Sequence, residues 1–321
     1  MSTKRANWRN VQTIDGRHYL GNGQEIRDPD QENYAYYLGL PLLLTETIPR
    51  DPASGEKREY HHPDETIFRT VHQVCELWFW QMLFDMDRII ALLASDSITS
   101  QQWHTTHMLL ARTNHLWSQV IRTAQTLQTH LPKNSFNEGF RSKLSPSSGA
   151  ESIQFRLIEA KAGFRKDRPY MEIYDRKFTW FETLNHMRSA RWWTPEIERA
   201  SESASILSAL QKHAHQNHNI DLQDPIQFWI DCYHLGEAWQ KTIQHLHTFE
   251  KNLLQFRNAH KKIVEVQLNN PTLGSAFENE GSTLIQDKKP VAALSYLEAI
   301  EKTARAFPGL FSAKELAFKS N

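Results

Sequence analysis

The sequence has few of the residues on which disulfide-bonded and strand-rich proteins depend. Its two cysteines, Cys75 and Cys232, cannot form a disulfide framework, and both lie in apolar helical patterns, which predicts buried thiols in a reducing compartment. Only 12 glycines in 321 residues provide few tight turns, which favours long helices over a many-stranded sheet. Because 37 basic residues balance 37 acidic ones, charge gives no reason to expect a nucleic acid or an anionic membrane as a partner.

Long hydrophobic runs are absent as well. Residues 1–9 lack the apolar core of a signal peptide, and no stretch reaches about 18 uninterrupted apolar residues. We therefore expect a cytoplasmic protein without a membrane span. Aromatic side chains are plentiful, with 10 tryptophans and 16 phenylalanines, and they can fill a core or line an aromatic pocket.

Helical periodicity covers most of the chain and predicts an all-α helical bundle. Residues 1–32 are polar and irregular, which predicts an N-terminal arm, and residues 33–321 are predicted to form one helical domain with a smaller helical excursion at 165–220. The predicted helices span 63–94, 101–130, 153–162, 194–218, 228–267 and 291–306. A short helix and a loop are predicted at 136–148, and irregular or short-helical structure is predicted at 164–190.

The segment 64–79 carries the most informative pattern in the chain. His72 follows Phe68 by four residues and precedes Glu76 by four, so the three side chains share one face of the predicted first helix. A lone histidine in a core helix is more often a hydrogen-bonded structural residue than a ligand-binding one. An imidazole beside an aromatic ring on an apolar helix also suits a binding site, and the pattern alone leaves both interpretations open.

Segment 64–79 resembles the signature helix of the tryptophan 2,3-dioxygenase superfamily, whose members bind haem and oxidise aromatic amino acids. Further segments resemble that family in the same order along the chain. They are a tyrosine-rich pocket segment at 34–40, an arginine-bearing loop at 140–149, the stretch 154–163 and the C-terminal stretch 307–311. The sequence is therefore identified as a divergent member of the superfamily, and the resemblance implies haem b bound between the helices of the bundle.

The resemblance also implies roles for individual residues. His72 is expected to hydrogen-bond the ring nitrogen of the substrate, and Arg141 to bind its carboxylate with a planar, charged fork of donors. The residues expected to line the aromatic pocket are Tyr34, Tyr37, Leu38 and Phe68. Gly149, which lets the backbone approach a flat ligand, and Trp78 are expected to contact the cofactor.

His260, within 256–264, is the expected axial ligand of the haem iron, because a neutral imidazole is the usual ligand in oxygen-handling haem proteins. The rivals His234, His245 and His247 fit helix-surface or core contacts better. Cys75 and Cys232 lack the basic neighbours that would favour a thiolate. The histidine groups at 213–218 and 104–107 are predicted to be solvated faces rather than metal sites.

Two departures from the family pattern concern the amino-acid end of the substrate. Asn137 stands where the ring-cleaving dioxygenases have a tyrosine that contacts the carboxylate. Residues 270–283 replace a glycine-rich loop that closes over the ammonium group, and Ser282 or Thr283 is the candidate to take its place. We include Asn137 and Thr283 among the predicted substrate-binding residues.

The resemblance implies a haem-dependent oxygenase that uses dioxygen or peroxide to insert oxygen into the ring of L-tryptophan or a closely related aromatic amino acid. Insertion of one atom, as in superfamily relatives that hydroxylate tryptophan or tyrosine in natural-product pathways, is an alternative to insertion of two. A helical binding protein without cofactor is a third hypothesis. The family forms homotetramers, which implies a homo-oligomer, either a tetramer or a dimer.

Overall fold

The computed structural model describes residues 12–14, 17–19, 62–144, 152–173, 175–186, 194–267 and 293–317. The helices are α1 (Glu65–Leu93), α2 (Ser100–His130), α3 (Arg141–Leu144), α4 (Ile153–Ala162), α5 (Trp180–His186), α6 (Pro195–Glu202), α7 (Ile206–His218), α8 (Pro225–Tyr233), α9 (Glu237–Gln267), α10 (Ala293–Thr303) and α11 (Leu310–Ala317). Strands β1 (Gln12–Ile14) and β2 (Arg17–Tyr19) pair antiparallel, as do β3 (Pro169–Ile173) and β4 (Arg176–Thr179). Helices therefore dominate, and the predicted all-α class is confirmed.

Three long helices form the frame of the bundle. Helix α2 packs against α1 and also against α9. Helix α1 buries a stripe of apolar residues at spacings of three and four, as a helix with one face toward a core must. This stripe comprises Val71, Cys75, Phe79, Met82, Met86 and Ile89. Helix α2 thus holds α1 and α9 side by side.

The sequence predicted these long helices to within two residues at most ends. Thr99 caps α2 reciprocally: the backbone N–H of Gln102 donates to Thr99 Oγ1 at 3.2 Å, and the backbone N–H of Thr99 donates to Gln102 Oε1 at 2.8 Å. This capping box satisfies two donors that the helix itself cannot pair.

Two predicted helices are each divided in the structure. The prediction of one helix over 228–267 is wrong, because Gly236 adopts φ +118°, outside the helical region, and separates α8 from α9. The prediction of one helix over 194–218 is also wrong. Ser203 is extended at φ −77° and ψ 168°, and Ser205 caps a new helix by accepting from the Ser208 N–H at 3.1 Å.

Two further segments differ from the prediction. Part of 164–190 forms the β3–β4 hairpin, whose turn contains Asp175 at φ +58°, and Tyr170 and Phe178 point into the core. The chain also continues as α11 after residue 306. Gly309 makes that turn at φ +79°, where a Cβ would lie 2.6 Å from the carbonyl carbon of Pro225, so a side chain would clash with α8.

A short hairpin, β1–β2, lies within residues 1–32, which were predicted to be an irregular arm. In the part of the chain that the structure describes, no helix combines the length and the apolar character that a membrane crossing requires.

Candidate functional site

His72 lies on α1, and a hydrogen bond within that helix determines which of its two ring nitrogens carries the proton. Its Nδ1 is 2.7 Å from the carbonyl oxygen of Phe68, and the two rings have centroids 4.2 Å apart. A carbonyl oxygen only accepts, so Nδ1 carries the proton in the neutral ring and Nε2 is left as an acceptor. The ring is exposed to solvent, yet desolvation by the surrounding protein lowers its pKa. Exposure together with desolvation indicates that His72 lines a cleft.

His260, on α9, belongs to the same cleft. Burial, with smaller contributions from His72 and Arg156, lowers its pKa to about 4, so these groups are close enough to interact. Within the described residues, neither nitrogen of the His260 ring has a hydrogen-bond partner. His260 is therefore a neutral imidazole near neutral pH, with a lone pair available to a ligand.

An aromatic layer lies beside His260. The ring of Phe256, one turn earlier on α9, is nearly parallel to the imidazole, with an angle of 8° and centroids 6.5 Å apart. Phe256 packs in turn against Trp117 at 5.6 Å, Phe155 at 5.5 Å and Phe79 at 5.9 Å. These large apolar groups exclude water, which is the physical cause of the low pKa of His260.

A turn of π-helix, Ser135–Phe140, leads directly into Arg141 and will be called the π-turn. Phe136 stacks on Phe68 with centroids 5.1 Å apart, and Phe140 meets the edge of the same ring at 5.4 Å. The π-turn thus brings Arg141 to the end of α1 that carries Phe68. Nη1 of Arg141 donates to Asn137 Oδ1 at 3.0 Å, so Asn137 orients the guanidinium.

The start of α1 fixes the π-turn in place. Ser135 Oγ donates to Asp64 Oδ2 at 2.5 Å, and Gly139 lies against the imidazole of His62. A Cβ at Gly139 would come within 2.8 Å of His62 Cδ2, so a larger residue would displace that ring. No pattern in the sequence marked Phe136, Phe140 or these anchors as parts of the site.

A buried polar network supports the cleft from the side of α4. Glu159 is fully buried and accepts four hydrogen bonds. The donors are Arg156 Nη1 at 2.8 Å, Tyr170 Oη at 2.7 Å, Trp180 Nε1 at 3.3 Å and Arg257 Nη2 at 2.8 Å. Arg257 precedes His260 by three residues, so the network fixes α9 beside the candidate ligand. The signal in the sequence was a charged pair, Arg156 and Glu159, three residues apart on the side of the helix that also carries apolar residues.

Glu76, predicted to share the face of His72, also contacts α4. Gln154 Nε2 donates to Glu76 Oε2 at 2.8 Å and to the carbonyl oxygen of Glu76 at 3.0 Å.

Trp78 is half-buried against the core. Because it follows His72 by six residues, it lies roughly 120° around α1 from the imidazole. Its predicted contact with a cofactor stays a prediction.

Several predicted residues fall outside the described ranges. They are Tyr34, Tyr37, Leu38, Gly149, Ser282 and Thr283. The described part of the site therefore consists of one wall with Phe68 and His72, the π-turn with Arg141, and a facing helix with His260.

The rival histidines contact other parts of the bundle. The ring of His245 lies 5.9 Å from that of His107, the ring of His247 packs edge-on against Phe311 at 5.0 Å, and His234 packs against Tyr233 at 5.9 Å. Burial raises the pKa of Cys75 and of Cys232 to about 12, so both are protonated thiols at neutral pH.

The two histidine groups predicted to be solvated faces are partly buried. His213 packs against Trp239 at 6.0 Å, while Nε2 of His107 lies 3.0 Å from both Ala238 O and Thr242 Oγ1. Among the described residues, no three His, Cys, Asp or Glu side chains are arranged to hold a metal ion.

Comparison with known proteins matches the sequence of this chain to one family. The profile of the tryptophan 2,3-dioxygenase family matches residues 24–280. A tryptophan 2,3-dioxygenase from Bdellovibrio bacteriovorus is 33% identical over 133 residues, which cover 41% of this chain and 35% of the relative. One from Anopheles gambiae is 28% identical, with 68% of this chain and 51% of the relative covered. One from Bacillus cereus is 27% identical, with 73% of this chain and 81% of the relative covered.

The chain thus spans about a third of the length of the Bdellovibrio relative and about half of the length of the Anopheles relative. The profile nevertheless covers more than half of this chain, including α1, the π-turn and the part of α9 that carries His260. The chain belongs to the tryptophan 2,3-dioxygenase family.

Proposed function

We propose that this protein is a haem-dependent oxygenase that inserts oxygen into the ring of L-tryptophan or a closely related aromatic amino acid. One observation carries the proposal: the imidazole of His260 lies beside the ring of Phe256, at a centroid distance of 6.5 Å, and burial lowers its pKa to about 4, which keeps it neutral near pH 7. His72 on α1 is close enough to contribute to that lowered pKa. The tautomer of His72 leaves its Nε2 as a hydrogen-bond acceptor. The imidazole of His260 has a lone pair available beside the aromatic layer of Phe256.

The chemistry of His260 fits haem. A neutral imidazole is the form that ligates iron, and its low pKa keeps it in that form over the whole physiological pH range. When bound, haem b would supply the redox chemistry that activates dioxygen or peroxide. Gly149 and Trp78 are proposed to contribute further contacts to the cofactor.

The remaining residues would bind and orient the substrate. Arg141, oriented by Asn137, is proposed to bind the carboxylate with its planar, charged guanidinium. Phe68, with Phe136 stacked on it and Phe140 packed edge-on, offers an aromatic wall for a flat ring. Nε2 of His72 would accept a hydrogen bond from the ring N–H, which fixes the rotation of the ring within the pocket. Tyr34, Tyr37 and Leu38 are proposed to complete the pocket, and Thr283 to contact the ammonium group.

Fixed at both ends, the substrate would be held in one orientation, so much of the rate would come from positioning rather than from proton transfer by the protein. His72 is well suited to this task, because its Nδ1 proton is engaged by Phe68 and only Nε2 faces the ligand.

Product mass tests the proposal directly. Haem-loaded protein is incubated with L-tryptophan and a reductant under dioxygen, and in parallel with peroxide. We expect a product that contains two added oxygen atoms, formed by ring cleavage. One added atom would instead establish a hydroxylase. A protein that takes up haem yet converts neither tryptophan nor tyrosine derivatives would contradict the proposed activity, and one that takes up no haem would be a helical binding protein.

An exposed apolar stripe on α1 supports the proposed homo-oligomer. Leu77, Trp80 and Phe84 are 50%, 62% and 55% exposed, and their spacing places them on one side of the helix. We propose that this stripe packs in a tetramer or a dimer. A single species at the monomer mass in sedimentation would contradict this.

The proposed cytoplasmic location agrees with the two free, buried thiols.

A further inference from the structure

Gln267, the last residue of α9, has its side-chain amide fully used in hydrogen bonds. Nε2 donates to the carbonyl oxygens of Leu131 and Pro132, at 3.1 Å and 3.0 Å, and Oε1 accepts from the backbone N–H of Phe136 at 3.1 Å. The residue is only 2% exposed. Each of its two amide hydrogens, and its oxygen, has a partner, as a buried amide requires.

These three bonds join the end of α2 to the start of the π-turn, in addition to a backbone bond in which the N–H of Ser135 donates to the carbonyl oxygen of Pro132 at 3.0 Å. Leu131 and Pro132 follow the last turn of α2, where carbonyl groups lack partners within the helix. Phe136 lies in the first turn of the π-turn, where N–H groups lack partners for the same reason. The intervening chain reverses at Asn134, which has φ +64°. Gln267 therefore fixes the direction in which the π-turn leaves α2.

The direction of the π-turn determines where Arg141 lies, because Arg141 follows its last residue and bonds to Asn137 within it. Gln267 also follows His260 by seven residues, or about two helical turns, so both side chains project from the same face of α9. A single helix thus carries the candidate haem ligand and the clamp on the π-turn.

We propose that Gln267 is a positioning residue that sets the place of Arg141 and thereby the preference of the site for ligands that carry a carboxylate. This inference rests on the proposed function. It assigns a role to a residue that touches neither the substrate nor the cofactor, and whose partners are 131 to 136 positions away in the sequence.

The test compares L-tryptophan with tryptamine, which keeps the ring and the ammonium group and lacks only the carboxylate. Dissociation constants are measured for haem-loaded protein from the change in haem absorption. Gln267→Met keeps the length of the side chain and removes all three hydrogen bonds. We expect it to weaken L-tryptophan binding by about tenfold, the usual loss when a hydrogen bond to a charged group is disturbed, and to leave tryptamine unchanged. Equal loss for both ligands, or no loss, would overturn the inference.

Matched controls separate positioning from general damage. Asn252 is another buried amide on α9, whose Nδ2 donates to the carbonyl oxygen of Asn114 at 3.3 Å, far along the helix from the π-turn. Asn252→Leu should leave the preference for L-tryptophan over tryptamine unchanged. In an Arg141→Met background, Gln267→Met should have no further effect on that preference, because both changes act through one guanidinium.

If Gln267→Met does not fold, Gln267→Glu provides the test: its protonated carboxyl can still accept from Phe136 and donate to one carbonyl, so the preference should fall part of the way, and an unchanged preference would overturn the inference. If the unaltered protein binds tryptamine as tightly as L-tryptophan, both the carboxylate anchor and the inference fail. If it discriminates and Gln267→Met discriminates equally, the inference alone fails.

Discussion

The proton on Nδ1 of His72 is held by the carbonyl oxygen of Phe68, 2.7 Å away and one helical turn earlier. The rings of the same two residues are also in contact, with centroids 4.2 Å apart and an angle of 40° between their planes. Residue Phe68 therefore defines both the tautomer of the imidazole and its orientation. The consequence is a single outward-facing acceptor, Nε2, beside an aromatic surface, which is the arrangement that an indole ring with one N–H donor would match.

His72→Ala should abolish discrimination between ligands that have and lack the ring N–H. We expect haem-loaded protein to bind L-tryptophan about tenfold more tightly than the analogue in which sulfur replaces the ring nitrogen, since one buried hydrogen bond is at stake. The variant should bind both equally. Titration by absorption measures this, with Cys75→Ala, a buried change on the same helix, as the control. A preference that survives in His72→Ala would show that another group accepts the bond.

Arg141→Lys should weaken binding of L-tryptophan even though the charge is kept. A lysine ammonium is a point charge and cannot form two parallel bonds to a carboxylate, and it also cannot bond to Asn137 in the geometry of a fork. We expect a dissociation constant about tenfold higher, measured in the same titration. An unchanged constant would mean that the carboxylate is bound elsewhere.

The Glu159 network should dominate the stability of the bundle near the cleft. Glu159→Gln leaves Arg156 and Arg257 buried without a carboxylate, and breaking a buried ion pair in this way costs about 3–5 kcal/mol in the free energy of unfolding. Urea denaturation measures the loss. The control is Glu198→Gln, which removes a partly exposed pair with Lys166 and should cost at most about 1 kcal/mol. Equal costs for the two variants would contradict this account of the network.

Stability should fall in mild acid as the buried histidines take up protons, and two of them, His107 and His213, lie away from the cleft and contribute part of this loss. Burial lowers the pKa of His107 and of His213 from the usual 6.5. The unfolded chain therefore takes up protons first, so their contribution to stability is complete above pH 6.5 and is lost as the pH falls toward the lowered values. The nearby charged groups are His104, Glu237, Lys241 and His245 for His107, and His218 for His213.

The double variant His107→Gln, His213→Gln should show a smaller loss of unfolding free energy between pH 7.5 and pH 5.5 than the unaltered protein. Urea denaturation at the two pH values measures the difference, and the exposed change His115→Gln should leave the loss as it is. A loss that is the same in all three proteins would assign the acid sensitivity to other groups.

The sequence predicted those parts of the fold that depend on local signals. Helix α2 follows from the apolar spacing and from the Thr99 cap, both of which can be identified from neighbouring residues. The break at Gly236 and the β3–β4 hairpin were missed, because apolar periodicity continues across the glycine, and because packing of Tyr170 and Phe178 into the core decides the hairpin.

For the candidate site, the resemblance to the family predicts which residues would face a ligand, and these stay predictions, whereas the residues that support them could not be predicted. Gln267 bonds to Phe136 across 131 positions, and Arg257 to Glu159 across 98. No pattern of spacing encodes contacts between residues so far apart. Only the folded chain brings these side chains together.

The central claim is that His260 holds haem iron, and the absorption spectrum of haem-loaded protein tests it most directly. His260→Ala should lose the intense haem band or shift it, because the lone pair that ligates iron is gone. His245→Ala, a histidine on the same helix whose ring lies near His107, should keep the spectrum of the unaltered protein. The opposite result, an unchanged band in His260→Ala and a lost band in His245→Ala, would contradict the assignment of the site.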